Sequence, residues 1–276
     1  MIKLTSDKRM LEYDKFLPYS NIFCFSTTRY GGVSEGSYSS FNSNEFCGDN
    51  LCNVIKNREI LCKLLPQIPE QLIIPHQTHG VKVLDIDDAF IKCNENERKE
   101  LLEGVDALVT TKPSYCLCVS TADCIPVLLF DKINNVVAAV HAGWRGTVNM
   151  IVCNALEVMM KKYGTDPSNL IACIGPGISQ KAFEVGDEVY DEFCKISVNM
   201  HEIASRNEET GKWHINLWEA NYMQLVHKGV SAENIEISGI CTYYNNDIFF
   251  SARRQGINSG RILTGIMILK DFNDEI

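Results

Sequence analysis

Ten short apolar segments recur along the chain, and they constrain its fold more than any other feature. The segments are rich in β-branched residues and are bounded by Gly, Pro or Asn, which is typical of β-strands. Several, such as 126–130 (PVLLF) and 136–140 (VVAAV), are apolar throughout, so both faces of those strands should be covered. The predicted strands are 22–26, 72–74, 81–84, 106–110, 116–120, 126–130, 136–140, 170–174, 235–241 and 262–269.

Helical periodicity separates some of these strands. Apolar residues at three- and four-residue steps predict a helix over 147–163, with Gly164 and Pro167 as stop signals. Further helices are predicted over 54–65 and 216–228. Strands and helices do not alternate strictly, which favours a layered α/β (mixed α+β) architecture around a mixed sheet. No linker or repeat divides residues 1–276, so we expect a single domain, with only the acidic segment 85–104 looking inserted.

Charge and cysteine content exclude several functional classes. A net charge of −9 provides no positive field for nucleic acid or an anionic membrane, so any phosphate must be held by local arginines. The first residues show no basic segment followed by an apolar stretch, so we expect no secretory signal, and no apolar run reaches the ~18 residues of a membrane span. We therefore expect a cytoplasmic protein whose twelve cysteines are reduced. No Cys-x-x-Cys pair occurs, and eleven of the cysteines are expected to be ordinary interior residues.

A thiol and an imidazole fall at the same end of one predicted hairpin. If the strands 126–130 and 136–140 pair across a turn that matches Asp131 with Asn134, Cys124 lies opposite His141. Such a pair supports a thiolate nucleophile with an imidazole base, or a zinc site completed by a third ligand. It is equally consistent with a buried core cysteine beside a histidine that starts a helix. His76 and His79 lie in a loop, and at most one is expected to face a given site.

Arginines and tight turns are the remaining candidates. The turn after His141 and the side chain of Arg145 could bind an anion at a helix N-terminus. Arg29 and Arg254 are further candidates for binding an anion. Arg253 and Arg261 lie close to Arg254 in the sequence, near the last strand. Ile174-Gly175-Pro176-Gly177 reads as a tight turn after a strand.

These motifs resemble those of one family. The segments FSTTRYGGVSEGSYSSFN, PHQTHG, VDALVT, STADCIPVLLFD, HAGWRGT, IGPGIS, FEVGDEV, FFSARRQG and SGR, in this order from about Phe23 to Ile268, are similar to the YfiH-type family. That family is also called laccase-domain, polyphenol-oxidase-like, peptidoglycan editing factor-like or purine nucleoside phosphorylase. The resemblance implies an α/β/β/α layered fold and zinc ligands at His79, Cys124 and His141. The chain departs from the family pattern at two places: 41–44 (FNSN) replaces a Leu-Asn-Leu-Gly stretch, and the insertion at 85–104 is longer than usual. Both lie near the N-terminal part of the expected site, so the substrate preference could differ from that of the family.

The activity that the resemblance implies is zinc-dependent phosphorolysis of adenosine, inosine and methylthioadenosine, with deamination of adenosine by zinc-activated water. The expected partners are a purine nucleoside and phosphate, and the expected assembly is a monomer or a small homo-oligomer. Catalytic roles are expected for Cys124, His79, His141 and Asp123. Asp123 could orient a ligand, shuttle a proton or only bond its own turn. Contacts to substrate or phosphate are expected from Arg29, His76, Gln77, Arg145 and Arg254.

Three alternatives remain open at this stage. Copper-dependent polyphenol oxidation is disfavoured because the chain has six histidines and no His-x-His pair, although Cu²⁺ could displace Zn²⁺. Cys124 could instead be the nucleophile of an amide hydrolase that edits peptidoglycan precursors. The three ligands could also form a purely structural site, which would normally need a fourth protein ligand.

Overall fold

Two six-stranded sheets form the centre of the protein, for which a computed structural model describes residues 3–196 and 198–270. The strands in chain order are β1 (Lys3–Leu4), β2 (Met10–Glu12), β3 (Ile22–Thr27), β4 (Gln71–Ile73), β5 (Lys82–Asp85), β6 (Val105–Thr110), β7 (Tyr115–Thr121), β8 (Ile125–Asp131), β9 (Val136–Ala142), β10 (Leu170–Ile174), β11 (Glu184–Val185), β12 (Ala204–Arg206), β13 (Trp213–Ile215), β14 (Ile235–Ile237) and β15 (Ile262–Ile268). The first sheet has the order β1-β2-β3-β15-β7-β4, and the second has the order β14-β10-β8-β9-β6-β5. A small third sheet has the order β11-β13-β12.

Helices cover the outer faces of the two large sheets. The α-helices are α1 (Leu51–Leu64), α2 (Asp88–Lys92), α3 (Glu95–Leu102), α4 (Trp144–Val148), α5 (Ile151–Tyr163), α6 (Asp187–Cys194), α7 (Met200–Ile203), α8 (Leu217–His227) and α9 (Ala252–Gln255). Helix α1 packs on the first sheet through Leu61, while α5 and α8 pack on the second. The two sheets face each other through a third hydrophobic cluster that includes Leu117 and Leu128. The predicted α/β/β/α layering and the mixed sheets are therefore confirmed.

The continuous apolar strands are explained by this layering. Along β8, Val127 and Leu129 point to the helical side, whereas Leu128 and Phe130 point into the space between the sheets. Because successive side chains of a strand alternate between faces, covering both faces requires an apolar residue at every position. All seven residues of β8 are accordingly buried.

Most predicted elements are present, and two of them differ from the prediction. The helix predicted over 147–163 is interrupted, because Met150 has a left-handed backbone (φ 62) that separates α4 from α5. The strand predicted over 235–241 is shorter and ends at Ile237. The acidic segment 85–104 is folded, with α2 and α3 and a buried Phe90. Gly164 ends α5 as predicted, also with a left-handed backbone (φ 68).

The register of the β8–β9 hairpin differs from the prediction. Pro126, and not Cys124, pairs with His141, and Asp131 pairs with Val136. The turn is longer than predicted because the Asp131 carboxylate accepts the N–H groups of Ile133 and Asn134 and closes a wider loop. Cys124 consequently lies in the turn that precedes β8, close to the end of β9 where His141 lies.

The cysteines are all unpaired, but not all of them are interior. Seven are buried, whereas Cys52 and Cys194 are exposed, so the expectation of eleven interior cysteines is wrong. Within the described residues, no helix combines the length and the apolar character that crossing a membrane requires.

Candidate metal centre

A loop, a turn and the end of a strand bring two imidazoles and one thiol together. His79 lies in the loop between β4 and β5, Cys124 in the turn between β7 and β8, and His141 near the end of β9. Their ligand atoms all lie within 4.8 Å of one another, and the His79 and His141 ring centroids are 4.9 Å apart. His79 is exposed, Cys124 is half-buried and His141 is buried, so the cluster is open to solvent on one side.

Asp106 on β6 links the two histidines, and sequence reasoning missed it. Its fully buried carboxylate accepts a hydrogen bond from His141 Nδ1 (2.7 Å). It also accepts the backbone N–H groups of Thr78 (3.3 Å), His79 (3.1 Å) and Gly80 (2.7 Å). One carboxylate therefore fixes the His141 ring and the loop that carries His79, a common arrangement around metal-binding histidines. The only signal in the sequence was a charged residue inside the apolar run VDALVT.

Gln77 attaches the same loop to the first sheet. Its side-chain amide donates to Ser120 O (2.9 Å) and its carbonyl oxygen accepts Ser120 N–H (2.7 Å). His79 itself has a left-handed backbone (φ 62), which turns its side chain out of an extended path. His76 is not one of the three clustered groups: its Nδ1 lies 2.8 Å from Glu103 Oε1 and its ring stacks on Phe46. One of the two loop histidines, His79, therefore joins the cluster.

Asp123 and Gly177 shape the turn that carries Cys124. Asp123 has a left-handed backbone (φ 89), and its carboxylate accepts hydrogen bonds from Thr242 Oγ1 and the Arg253 N–H, both at 2.7 Å. A Cβ at Gly177 would lie 3.1 Å from Asp123 O and 3.2 Å from Cys124 O, so the turn packs directly against this glycine. The IGPG segment thus supports the Cys124 turn as well as forming a turn of its own.

Gly143 allows the ligands to approach the start of α4. A Cβ at this position would lie 3.0 Å from Cys124 Sγ and 3.0 Å from His79 Cδ2, which is closer than ordinary van der Waals contact. A side chain directly after the strand that carries His141 would therefore press on two of the three clustered groups, and glycine avoids this contact.

The electrostatics of the cluster favour a thiolate. Burial alone would raise the pKa of Cys124, but the charge on His141 and hydrogen bonds from both histidines outweigh it and lower the pKa to about 6. Burial would lower the pKa of His141, but the Cys124 thiolate and the Asp106 carboxylate raise it to about 9. Burial would raise the pKa of Asp106, but the His141 contact and the loop N–H groups bring it below its usual value. The thiol is therefore ionised near neutral pH, as a metal ligand must be.

The donor set fits a zinc ion. Two imidazole nitrogens and one thiolate are ligands that zinc prefers, and three protein ligands leave the fourth position open, as in catalytic sites. Among the residues that the structure describes, this is the one group of three or more His, Cys, Asp or Glu side chains that could hold a metal. His79, Cys124 and His141 could therefore bind a single metal ion.

A cavity of about 230 Å³ opens onto the cluster. Besides the three candidate ligands, it is lined by Asn44, Phe46, Cys47, His76, Gln77, Ser120, Thr121, Ala122, Ala252, Ile257 and Arg261. Arg261 is its one lining arginine, and its guanidinium also donates to the Ser259 and Ile257 carbonyl oxygens. We call this space the metal cavity.

The three predicted arginines lie outside that lining. Arg29 donates to the carbonyl oxygens of Ser39 and Asn246 and lies over the Phe250 ring. Arg145 lies over the Trp144 ring, with 4.3 Å from its Cζ to the ring centroid. Arg254 lies over the Tyr243 ring at 5.3 Å.

Comparison with known proteins identifies the family. Residues 23–269 match the model of a family described as multi-copper polyphenol oxidoreductase laccase. A purine nucleoside phosphorylase of Bacteroides thetaiotaomicron is 54% identical over 270 residues, which cover 98% of this chain and all of the relative. Adenosine deaminase RL5, from an unknown prokaryotic organism, is 43% identical over 242 residues, covering 88% of this chain and 92% of the relative.

A solved structure has the same fold. The crystal structure of the Bacillus licheniformis hypothetical protein YfiH superposes with a TM-score of 0.89 at 28% identity, covering 98% of this chain and 99% of that one. The chain belongs to the YfiH-type, laccase-domain family.

Proposed function

We propose that the protein is a zinc-dependent enzyme acting on purine nucleosides. In this proposal it phosphorolyses adenosine, inosine and methylthioadenosine to the base and ribose 1-phosphate, and it deaminates adenosine. The observation that carries the proposal is the convergence of His79, Cys124 and His141 beside an open cavity. The relatives named purine nucleoside phosphorylase and adenosine deaminase support the substrate class.

His79, Cys124 and His141 would hold the zinc ion. When bound there, zinc supplies Lewis-acid chemistry, which lowers the pKa of water toward 7. The protein contributes orientation: the Asp106 hydrogen bond to His141 Nδ1 keeps Nε2 free to act as the ligand nitrogen. A multicopper site is less favoured, because several coppers would need more than the one group of ligands present among the described residues, whereas a single Cu²⁺ could displace Zn²⁺.

Phosphorolysis also requires a cation near the site. The phosphate must be positioned for attack at ribose C1′ while the bond to the base breaks and C1′ gains positive charge. Arg261 is placed for this role because it lines the metal cavity, and Arg29, Arg145 and Arg254 stay predictions. The Asp123 carboxylate has two hydrogen-bond donors, Thr242 Oγ1 and the Arg253 N–H, which favours a role in holding the Cys124 turn.

A second candidate function rests on the Cys124 thiolate. A thiol with a pKa of about 6 beside an imidazole is also suited to nucleophilic attack, as in an amide hydrolase. Removal of zinc separates the two functions. Nucleoside turnover that disappears with chelation and returns with zinc supports the metal enzyme, whereas hydrolysis that survives complete zinc removal supports the thiol nucleophile.

The direct test is a product analysis. Zinc-loaded protein is incubated with adenosine, with and without phosphate, beside a Cys124→Ala control. Adenine and ribose 1-phosphate formed only with phosphate demonstrate phosphorolysis, and inosine demonstrates deamination. If neither product forms, the proposed function is wrong.

A further inference from the structure

An aromatic pair stands at the border between the metal cavity and a larger neighbouring cavity. The rings of Phe46 and His76 are stacked, with centroids 4.4 Å apart and planes inclined by 24°. Both residues line the metal cavity and also a second cavity of about 490 Å³, which we call the outer cavity. The metal cavity alone is smaller than most small-molecule sites, which occupy about 300–1,000 Å³. A nucleoside whose reacting atom lies at the cluster would therefore extend past this pair.

The Phe46 ring is exposed although its backbone is firmly held. Phe46 is 46% exposed although its ring stacks on His76, so much of the residue stays open to solvent. The Phe46 N–H donates to the buried Asn44 Oδ1 (2.7 Å). His76 is held by Glu103 at Nδ1 and by backbone hydrogen bonds to Leu102 and Gly104. The pair is thus a fixed aromatic surface that faces a ligand cavity.

A second exposed apolar side chain lines the same metal cavity. Ile257, which follows α9, is 78% exposed. Single exposed apolar residues are common on protein surfaces. Two of them in the lining of one small cavity, one aromatic and one aliphatic, provide the kind of surface on which a heterocyclic base stacks.

The charges around the pair favour a neutral ring over an anion. The outer cavity is lined by as many carboxylates as cations, namely Glu45, Glu95, Glu103, Arg58, Arg98 and Lys99. Two of the carboxylates are already paired, Glu103 with His76 and Glu45 with Arg58 at 3.5 Å. A purine carries no net charge and offers a large flat face, which matches the exposed ring better than a phosphate group would.

We propose that the outward face of Phe46, backed by His76, is the stacking surface for the purine ring, with Ile257 as a second apolar contact. This inference rests on the proposed function for its substrate class. It assigns a specificity residue to the segment 41–46, part of which departs from the sequence usual in the family.

The test uses the full-length, zinc-loaded protein and the variants Phe46→Leu and Phe46→Trp. Leucine keeps apolar volume without a ring, and tryptophan keeps a ring. We expect Phe46→Leu to weaken binding of adenine, measured by calorimetry, and to raise KM for adenosine, each by about 5- to 100-fold. Both values should stay within about threefold of wild type in Phe46→Trp, and kcat should change little in either variant.

Two controls separate stacking from structural damage. Tyr190 stacks on Trp213 at 3.7 Å in a different part of the protein, so Tyr190→Leu removes a ring of the same kind without touching the metal cavity. Zinc content and the melting temperature should match wild type in all variants. Ile257→Ala should weaken adenine binding by a smaller factor, about two- to fivefold.

The outcomes distinguish this inference from the proposed function. If wild-type protein turns over adenosine but Phe46→Leu binds adenine as tightly as wild type, the stacking inference is overturned and the function stands. If adenine binding depends on a ring at position 46 but no nucleoside is turned over, the function fails and the stacking surface stands. Absence of adenine binding to wild type also overturns the inference.

Discussion

Cys118 and Cys124 lie on the same stretch of chain but in opposite chemical environments. Cys118 is on β7, fully buried between the first sheet and α1, with Cys116 Sγ 3.6 Å away. Burial raises the pKa of its thiol well above the ordinary value. Cys124 follows in the next turn, where the imidazoles of His141 and His79 outweigh burial and lower the pKa to about 6. Neighbouring charge, more than depth in the protein, decides which of these two thiols can bind a metal.

Two buried aspartates of the second sheet differ in what they contact. Asp106 and Asp131 are both fully buried, but Asp106 binds a histidine of the cluster and Asp131 closes the hairpin turn at the far end of β8. Cys118 and Asp131 are therefore matched controls for Cys124 and Asp106.

Replacing each of the two cysteines by alanine should give the largest difference in zinc affinity. We expect Cys124→Ala to lower zinc affinity by more than about 100-fold, since even indirect contacts to a ligand are worth 10–100-fold. Cys118→Ala should keep zinc and activity but lose about 1 kcal/mol of unfolding free energy to the small cavity that it leaves. Zinc titration and urea unfolding of both variants measure this. Equal zinc affinity in the two would contradict the assigned ligand.

Removing the charge of Asp106 should have the next largest effect. Asp106→Asn keeps the shape but loses the carboxylate that orients His141, so zinc affinity should fall by about 10- to 100-fold. Asp131→Asn should leave zinc affinity unchanged while lowering stability. Competition with a chromogenic chelator gives both affinities. The aspartate role is wrong if both variants bind zinc like wild type.

The pH dependence of the unfolding free energy should test the role of Asp106 in a second way. Because its folded-state pKa is lowered, its carboxylate stabilises the fold above the unfolded value of about 3.9, and this stabilisation is lost as pH falls through the folded value. Unfolding free energies of metal-free wild type and Asp106→Asn should therefore converge in acid. A difference between them that is constant down to the lowest pH would count against the ion pair.

Alkylation of the metal-free protein should separate the cysteines by pH. With a pKa of about 6, Cys124 is mostly thiolate at pH 6.5. Allowing for the lower intrinsic reactivity of such a thiolate, Cys124 should react at this pH about five- to tenfold faster with iodoacetamide than the exposed Cys52 and Cys194. Cys118 should not react in the folded protein. Mass spectrometry of the modified peptides gives each rate, and a Cys124 rate that rises only near pH 8.5 would remove the basis for the thiolate.

The smallest expected effect comes from Gly143. The added Cβ of Gly143→Ala would press on Cys124 Sγ and His79 Cδ2, so zinc affinity should fall a few-fold. Gly164→Ala is the control, because it adds strain at a left-handed position (φ 68) far from the metal cavity and should affect only stability, by about 1 kcal/mol. Unchanged zinc affinity in Gly143→Ala would show that the ligands tolerate a wider spacing.

The buried strands and the proximity of Cys124 and His141 could be predicted from the sequence for physical reasons. Strands buried on both faces leave uninterrupted apolar runs, so β6 to β10 could be recognised one by one. Cys124 and His141 could be brought together by hairpin pairing, even though the register was wrong, because both lie at the same end of β8 and β9. The choice of His79 over His76 came from the family resemblance.

Long-range polar contacts could not be read in the same way. The Asp106 carboxylate contacts His141 on a neighbouring strand and the N–H groups of the 78–80 loop. No pattern of nearby residues in the sequence marks such contacts. Met150 breaks the helix at a position where helical periodicity continues, because the periodicity of side chains does not report a left-handed residue. The single-domain organisation of residues 1–276 and the oligomeric state stay predictions.

X-ray absorption at the zinc edge of protein purified without added copper tests the central claim most directly. We expect about one zinc per chain, coordinated by one sulfur near 2.3 Å, two imidazole nitrogens near 2.0–2.1 Å and one further light atom. Loss of the sulfur shell in Cys124→Ser would complete the assignment. Two or more sulfur ligands, four protein ligands, or stoichiometric copper in place of zinc would contradict it.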